Sequence, residues 1–581
     1  MKVTFTNTHA TFELGDEPLD LLSIVAKRFA YNDYRLRWER YSRAVLGKVP
    51  NYSDPDNIRA FNDFIFRPGQ ATKFSNYLSM QEERLRGVEY SFKNPVYRQT
   101  YSQGATWDGY FRPLRPKGST LVVPVGAART VYSFMVKWLK NKSLPVVTEF
   151  VDLKSGKMLD YMSIDPVYTV GGKTLRPEQQ EVIDLIRKRT MAVSSGGYLF
   201  SHYLLDLAVN FGKSLVVTAL IHNFKGAYNA NLVDSKPLFL KTVADYVEAG
   251  IETSYVCAKS DKKVVKLFLE REGLDPNMAT YGYGKNCIMM VPTVSRGLKS
   301  SSRSDIQRCM ERYHLIILDE VDAMANDSTK TVLNHCKPLQ KVAMSGTPFE
   351  SVLWDKRYFV WSQAGQPAIR YTHAKMTALG RSLPLEYRLV NVKKEGFFSW
   401  TDAQTFVSQV DIKEMDIYYS EGWRSKICDI LTQHQGQSIL IYMGSQKIET
   451  MEAVAKALRS KGHDVFVTHG KDADRNIKIK QFKEGDIQIL LSNVIVSTGL
   501  NLPNMDVFVY ASLSDSSREF IQALIGRTAR RGVGQELGIV YDFLYDKDFG
   551  SYHQNSLYRR YYAHRKDLDL KVVDNFQLSE S

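Results

Sequence analysis

The chain has 581 residues, with 77 Lys and Arg against 63 Asp and Glu and a formal net charge of +14. That length allows about three or four domains of roughly 150 residues, and the basic balance favours a polyanionic partner, nucleic acid or another anion. No apolar run approaches the ~18 residues of a membrane span, which excludes a membrane-embedded class, and the alternating, polar start MKVTFTNTHATFELGD is unlike a signal peptide.

Residues 1 to about 165 are rich in Tyr, Phe and Arg and carry strand and turn signals with some helix, an α+β texture. VYTVGGKT, with Gly171 and Gly172 adjacent, marks a boundary. Beyond it, short apolar runs alternate with amphipathic stretches. CIMMV, LIILDE and KVAMSG read as buried strands, and so do SILIYMG, DVFVTHG, IQILLSN, MDVFVYAS and GIVYDFL, with helices such as IETMEAVAKALRSKG between them. This alternation predicts parallel α/β sheets. There are two series, separated by a stretch near 370–395 that has little rhythm after its first helical part. The expected divisions are 1–170, 171–380 and 381–581. The five cysteines, Cys257, Cys287, Cys309, Cys336 and Cys428, are scattered without a C-x-x-C pair, which favours reduced thiols over a zinc site.

In parallel sheets, ligands gather at the carboxyl ends of strands. DLAVNFGKSLVV ends in Gly212-Lys213-Ser214, the second half of a phosphate loop, but Leu207 stands where the full pattern has glycine. Backbone N–H groups at a helix start, with Lys213 and Ser214, are the working part of such a loop. Asn210 falls where the loop calls for φ > 0, which asparagine tolerates. After LIIL comes Asp319-Glu320-Val321-Asp322. An acidic pair there suits a Mg-nucleotide site, with Ser214 and Asp319 on Mg²⁺ and Glu320 orienting and deprotonating the attacking water. The competing reading is a helix cap. Ser345-Gly346-Thr347-Pro348 follows KVAM and is, taken alone, also a plain turn. In FIQALIGRTARRG, Arg527 and Arg530 are either solvated or arginine fingers that stabilise a γ-phosphate.

The ordered set, rather than any single motif, resembles the superfamily 2 helicases over residues 172–581. The resemblance implies two tandem RecA-like parallel-sheet motor domains preceded by an α+β N-terminal domain, with ATP and Mg²⁺ as cofactors. Carried over, LRPEQQ is similar to the adenine-reading element, with Gln179 on the base and Arg176 nearby. NFGKS, including Asn210, Phe211 and Gly212, is similar to the phosphate loop. MMVPTVSRGL places Thr293 on the nucleic-acid backbone, and SGTP makes Ser345 and Thr347 coupling residues. STGLNLPN puts Thr498 and Gly499 between nucleotide and strand, and GRTAR supplies Arg527 and Arg530. Gln522 lies four residues before Gly526, where relatives have it three before, and Asn501 stands where many have Asp.

Within that superfamily the chain most resembles the phage UvsW type, on STGLNLPN, on GATWDGYFRPLRPKGSTLVVPVG and on the closing NSLYRRYYAHRKDLDL. This implies a DNA helicase or translocase acting on single-stranded, duplex or branched DNA. A monomeric protein is expected, in the cytoplasm (the host's, if phage-encoded), with no membrane partner. Arg112, Arg115, Lys117, Arg559 and Arg560 are the expected phosphate contacts. An RNA helicase, a restriction-type translocase, and a nucleic-acid-binding scaffold with a decayed ATPase are the alternatives.

Overall fold

In the computed structural model the described residues are 1–29, 31–32, 110–111, 114, 116–154, 156–192, 197–300, 303–350, 354–393, 417–418, 420–444, 447–470, 472, 474–493, 505–514, 536–546 and 551–578. They form two compact units, one of residues 1–206 and 212–370, the other of 207–211 and 371–578.

The first unit begins with a five-stranded mixed sheet. Its strands are β1 (Lys2–Phe5), β2 (His9–Glu13), β3 (Pro116–Lys117), β4 (Thr120–Pro124) and β5 (Glu149–Asp152), in the order β3-β4-β2-β1-β5. Alternation puts Val3, Phe5, Ala10 and Phe12 on one buried face, as a period of two requires. Helices α1 (Asp20–Arg28) and α2 (Val125–Asn141) share this core. The buried residues of α2 include Val131, Met135 and Leu139, spaced at helical intervals.

The Gly171-Gly172 stretch is a hairpin turn with both glycines at positive φ, joining Thr169–Val170 to Lys173–Thr174. After helix α3 (Pro177–Met191) comes an eight-stranded sheet. Its strands are β6 (His202–Leu207), β7 (Asn229–Val233), β8 (Thr253–Val256), β9 (Ala279–Tyr281), β10 (Asn286–Met290), β11 (Leu315–Asp319), β12 (Gln340–Ser345) and β13 (Pro367–Tyr371). The order is β9-β8-β10-β7-β11-β12-β6-β13, and β6 to β12 pair in parallel. The chain leaving β6 passes through helix α4 (Lys213–Asn223) and crosses two strand positions to reach β7. The strand order therefore switches beside β6, and a crevice at such a switch point opens at the carboxyl ends. Helix α5 (Lys236–Glu248) follows β7 and packs against α4.

The two sheets of this unit are joined by a shared core. Helix α6 (Trp354–Ala364) crosses α2. A Cβ on Gly126 would lie 2.3 Å from the Gln363 backbone, and one on Gly365 would lie 2.6 Å from the Gly126 carbonyl oxygen. Glycine at both points is what lets the backbones approach so closely. Leu199, Phe200 and Trp361 enter the same apolar cluster as Phe5, Leu121 and Met135. Phe5 meets Phe200 edge-on at 5.0 Å, and Trp361 stacks on Phe29 at 5.3 Å. Two amines are buried at this junction. Lys154 Nζ donates to the Leu199 carbonyl (2.7 Å), and Lys341 Nζ donates to Gln363 Oε1 (2.7 Å). Burial pulls each amine down to about 8. His202 sits directly across from Lys341 in the sheet, is buried, and is held neutral by burial and then by the Lys341 charge.

The second unit carries a seven-stranded sheet with every pair parallel. Its strands are β14 (Leu385–Val392), β15 (Ile439–Tyr442), β16 (Val465–Thr468), β17 (Ile489–Ser492), β18 (Val507–Tyr510), β19 (Gly538–Tyr545) and β20 (Lys571–Val573), in the order β16-β17-β15-β18-β19-β14-β20. The stretch expected to lack rhythm thus contains β14, an eight-residue strand. It sits between two parallel neighbours, so LEYRLVNV buries both faces and shows no clean alternation. Among the described residues no helix is long and apolar enough to cross a membrane.

Candidate nucleotide site

Gly212 is the N-cap of α4 and adopts φ 83°. Its carbonyl accepts from Gln179 Nε2 at 3.4 Å, while Gln179 Oε1 accepts from the Arg176 backbone N–H at 2.9 Å. A Cβ on Gly212 would fall 2.6 Å from Gln179 Nε2 and 3.5 Å from an Arg176 guanidinium nitrogen. Arg176 and Gln179 therefore stand directly over the start of α4, and the Arg176 side chain also pairs with Glu178 at 2.9 Å.

Lys213 follows in the first turn. Its amine pairs with Glu320 Oε1 at 2.8 Å, although 107 residues separate the two in sequence. Burial disfavours the ammonium, but Glu320 and then Asp319 outweigh it and lift the amine above its ordinary range. Asp319 closes β11. Burial first, and the neighbouring Glu320 charge after it, push its carboxyl up to about 6 against the pull of Lys213. Glu320 sits at φ 54°, an uncommon backbone for a residue with a side chain. Such a conformation costs about 1–3 kcal/mol and clusters at functional sites.

Asp322 does not cap a helix. It is buried and accepts from Ser345 Oγ (2.7 Å) and Thr347 Oγ1 (3.0 Å). The Thr347 N–H donates to Ser345 Oγ at 2.9 Å, and the Val321 N–H to the Met344 carbonyl at 3.1 Å. These bonds tie the carboxyl end of β11 to that of β12, its neighbour in the sheet.

This set can hold a phosphorylated ligand through an ammonium and helix-start N–H groups. Ser214 and Asp319 offer oxygen ligands, which suit a hard cation such as Mg²⁺. Among the described residues no group of three or more His, Cys, Asp or Glu could hold a metal ion. A cation here would therefore complete its shell from phosphate and water.

Two family models match the chain. Type III restriction enzyme, res subunit, matches residues 172–350, and Helicase conserved C-terminal domain matches residues 424–532. Residues 172–350 and 424–532 thus carry superfamily 2 helicase sequence. Among curated proteins, the chain is similar to the DEAD-box ATP-dependent RNA helicase CshA of Geobacillus kaustophilus, at 23% identity over 274 residues, 46% of this chain and 50% of that protein. The chain thus spans about half the length of that relative. Among solved structures, S. cerevisiae Dbp5 bound to RNA and ADP BeF3 is similar at TM-score 0.43 and 17% identity, over 69% of this chain and 94% of that one. The ATP-dependent Type ISP restriction-modification enzyme LlaBIII bound to DNA is similar at TM-score 0.47 and 14% identity, over 74% of this chain and 33% of that one.

The helicase sequence positions fall into three groups. Arg176, Gln179, Gly212, Lys213, Ser214, Asp319, Glu320, Ser345 and Thr347 gather around the start of α4 and the ends of β11 and β12. Thr293 lies half-buried in the short helix Val291–Gly297 just past the end of β10, and Lys117 is exposed in β3. Arg112, Arg115, Thr498, Gly499, Arg527 and Arg530 lie outside the described residues.

Three expectations are corrected. Asn210 is not the left-handed residue of the loop. It lies in the 3-10 turn Val209–Phe211, and Gly212 takes the positive φ instead, because a residue without Cβ does so at no cost. Within the second unit, the Asn210 side chain reaches Ser382 Oγ at 3.4 Å and the Phe211 ring lies 4.8 Å from that of Tyr371. Arg559 is not a surface phosphate contact. On helix α7 (Ser551–Ala563) it is 1% exposed and makes a two-pronged ion pair with Asp542 at 2.8 and 2.9 Å. Arg560 is partly exposed, but Asp574 engages it through two bonds of 2.7 and 2.8 Å.

Proposed function

We propose that the chain is an ATP-driven motor whose ATPase is stimulated by nucleic acid, with DNA as the track. The observation that carries this reading is the convergence of Lys213, Asp319 and Glu320 with the Asp322–Ser345–Thr347 network at adjacent strand ends. Lys213 and the N–H groups of α4 bind phosphate oxygens. Ser214 and Asp319 hold Mg²⁺, which when bound neutralises charge on the phosphates. Glu320 orients the attacking water and takes its proton. A phosphate that draws the Lys213 ammonium away releases the Glu320 carboxylate for that work. Gln179 and Arg176 read the base, Ser345 and Thr347 pass the state of the acidic motif along β12, and Gly499, Arg527 and Arg530 serve from the second helicase half. Thr293, Thr498, Lys117, Arg112 and Arg115 contact the strand.

The UvsW-type resemblance favours DNA, branched DNA included. A second reading, RNA, is favoured by the likeness to CshA, an RNA helicase. The test is the steady-state ATPase rate with single-stranded, duplex, forked and four-way-junction DNA and with RNA. Stimulation by DNA, lost in Lys213→Ala and Glu320→Gln, is expected. Stimulation by RNA alone would replace DNA as the track, and no stimulation by any of them would refute the motor reading.

A further inference from the structure

We infer that Asp234 and Asn326 are positioning residues through which a bound nucleic-acid strand sets the water-activating Glu320. This rests on the motor reading above. Asp234 directly follows β7, which lies between β10 and β11 in the sheet. Asn326 stands in the loop that leaves β11, as the N-cap of the helix Asp327–Leu333. Its Nδ2 donates to Asp234 Oδ2 at 3.0 Å, across 92 residues of sequence. The acceptor is a carboxylate, so the bond is of the stronger, charge-assisted kind. On its other side, Asn326 Oδ1 accepts from the Thr329 N–H (2.9 Å) and from Thr329 Oγ1 (3.1 Å). Serine or aspartate would cap that helix as well. Asparagine alone among them accepts with one side-chain atom and donates with another.

The link continues in both directions. Toward the acidic motif, the chain from Glu320 to Asn326 is a tight turn. The Ala323 and Met324 N–H groups donate to the Glu320 carbonyl (2.9 and 3.3 Å), and the Asn326 N–H donates to the Met324 carbonyl (2.8 Å). Glu320 opens this turn at φ 54°, so a shift of Asn326 is carried back to the Glu320 backbone. Toward the track, Asp234 precedes Ser235, the N-cap of α5, and the exposed Lys236. Lys236 pairs with Asp261, in the turn that follows β8, at 2.7 Å. Exposed pairs of this kind are worth little, so a phosphate can take the ammonium at small cost. Thr293 lies just past the end of β10, the neighbour of β7. A strand that touches Thr293 therefore meets Lys236 at the next strand end, and what moves the head of α5 moves Asp234.

The measurement is the steady-state ATPase rate of the full chain, without nucleic acid and across a titration of single-stranded DNA, or of RNA if RNA alone stimulates the wild type. Asp234→Ala breaks the bond from one side. Asn326→Ser breaks it from the other and keeps a helix cap, which covers the case in which the alanine variant fails to fold. Each should lower the stimulated kcat at least about fivefold, the low end of coupling between sites, while the rate without nucleic acid and the half-saturating concentration stay within about twofold. The double variant should be no slower than the worse single one, because both changes remove the same bond. Asp234→Asn, which keeps an acceptor oxygen, should retain most of the stimulation. Losses that multiply in the double variant, an equal fall in the rate without nucleic acid, or wild-type stimulation in both single variants would overturn the link. A wild-type chain that no nucleic acid stimulates would instead overturn the motor reading, and this inference with it.

Discussion

Replacing Lys341 by Met should make the protein more stable at neutral pH. The amine is buried where the two sheets of the first unit meet, its hydrogen-bond acceptor there is the neutral Gln363 amide, and its pKa falls from 10.5 to about 8. At about 1.4 kcal/mol per pH unit, that drop is a cost of about 3 kcal/mol for keeping the group charged at pH 7. Met fills the same unbranched volume without charge. The lost bond to the half-buried Gln363 gives back about 1–1.5 kcal/mol, which leaves a net gain of about 1–2 kcal/mol. The pH dependence carries its own sign. Between about 8 and 10.5 the unfolded chain binds the proton that the folded chain has released, so stability rises with pH across that window. Below it the cost is constant, and above it the cost is gone. Lys154, also lowered to about 8, adds a rise of similar size. Urea midpoints followed by tryptophan fluorescence and by circular dichroism from pH 7 to 10.5 should show a climbing wild-type curve and a flatter one for Lys341→Met. A variant less stable at pH 7, with an unchanged slope, would refute the reasoning.

Three further outcomes follow from single contacts. Gly212→Ala places a Cβ in a φ 83° backbone 2.6 Å from Gln179 Nε2; nucleotide binding should weaken about tenfold for a left-handed cost of roughly 1–2 kcal/mol, with circular dichroism unchanged. Gly126→Val drives its side chain into the Gln363 backbone; calorimetry should show a loss of at least about 1–3 kcal/mol, and unchanged stability would mean the crossing is looser than described. Arg559→Met strands the buried Asp542 carboxylate beside Tyr387; chemical denaturation should register a loss of about 3–5 kcal/mol, whereas a loss of DNA affinity without one would restore the arginine to the surface.

The sheets were legible because fully buried parallel strands are short apolar runs ending in polar residues, as in LIILDE and KVAMSG. That Lys213 and Glu320 share one site was legible because phosphate chemistry requires an ammonium and a carboxylate at the carboxyl ends of one parallel sheet. Other features left weaker marks. Asn210 and Gly212 both tolerate positive φ, and only the course of the backbone decides between them. β14 was hidden because burial on both faces erases alternation. Arg559 reads as basic surface until its spacing from Ser556, Tyr562 and Ala563, all buried, shows which face of α7 it shares. Its partner Asp542 lies in β19, where nothing in GIVYDFL announces a counter-ion.

The crossing at Gly126 and Gly365 turns the N-terminal sheet into a fixed outrigger. Because Phe5, Met135, Phe200 and Trp361 belong to one apolar cluster, the described residues of that sheet share a core with the unit that carries β6 to β12. Cutting the chain at residue 171 would not release an accessory module. It would strip the cover from Leu199, Phe200 and Trp361, and the shortened protein should aggregate before its chemistry could be assayed.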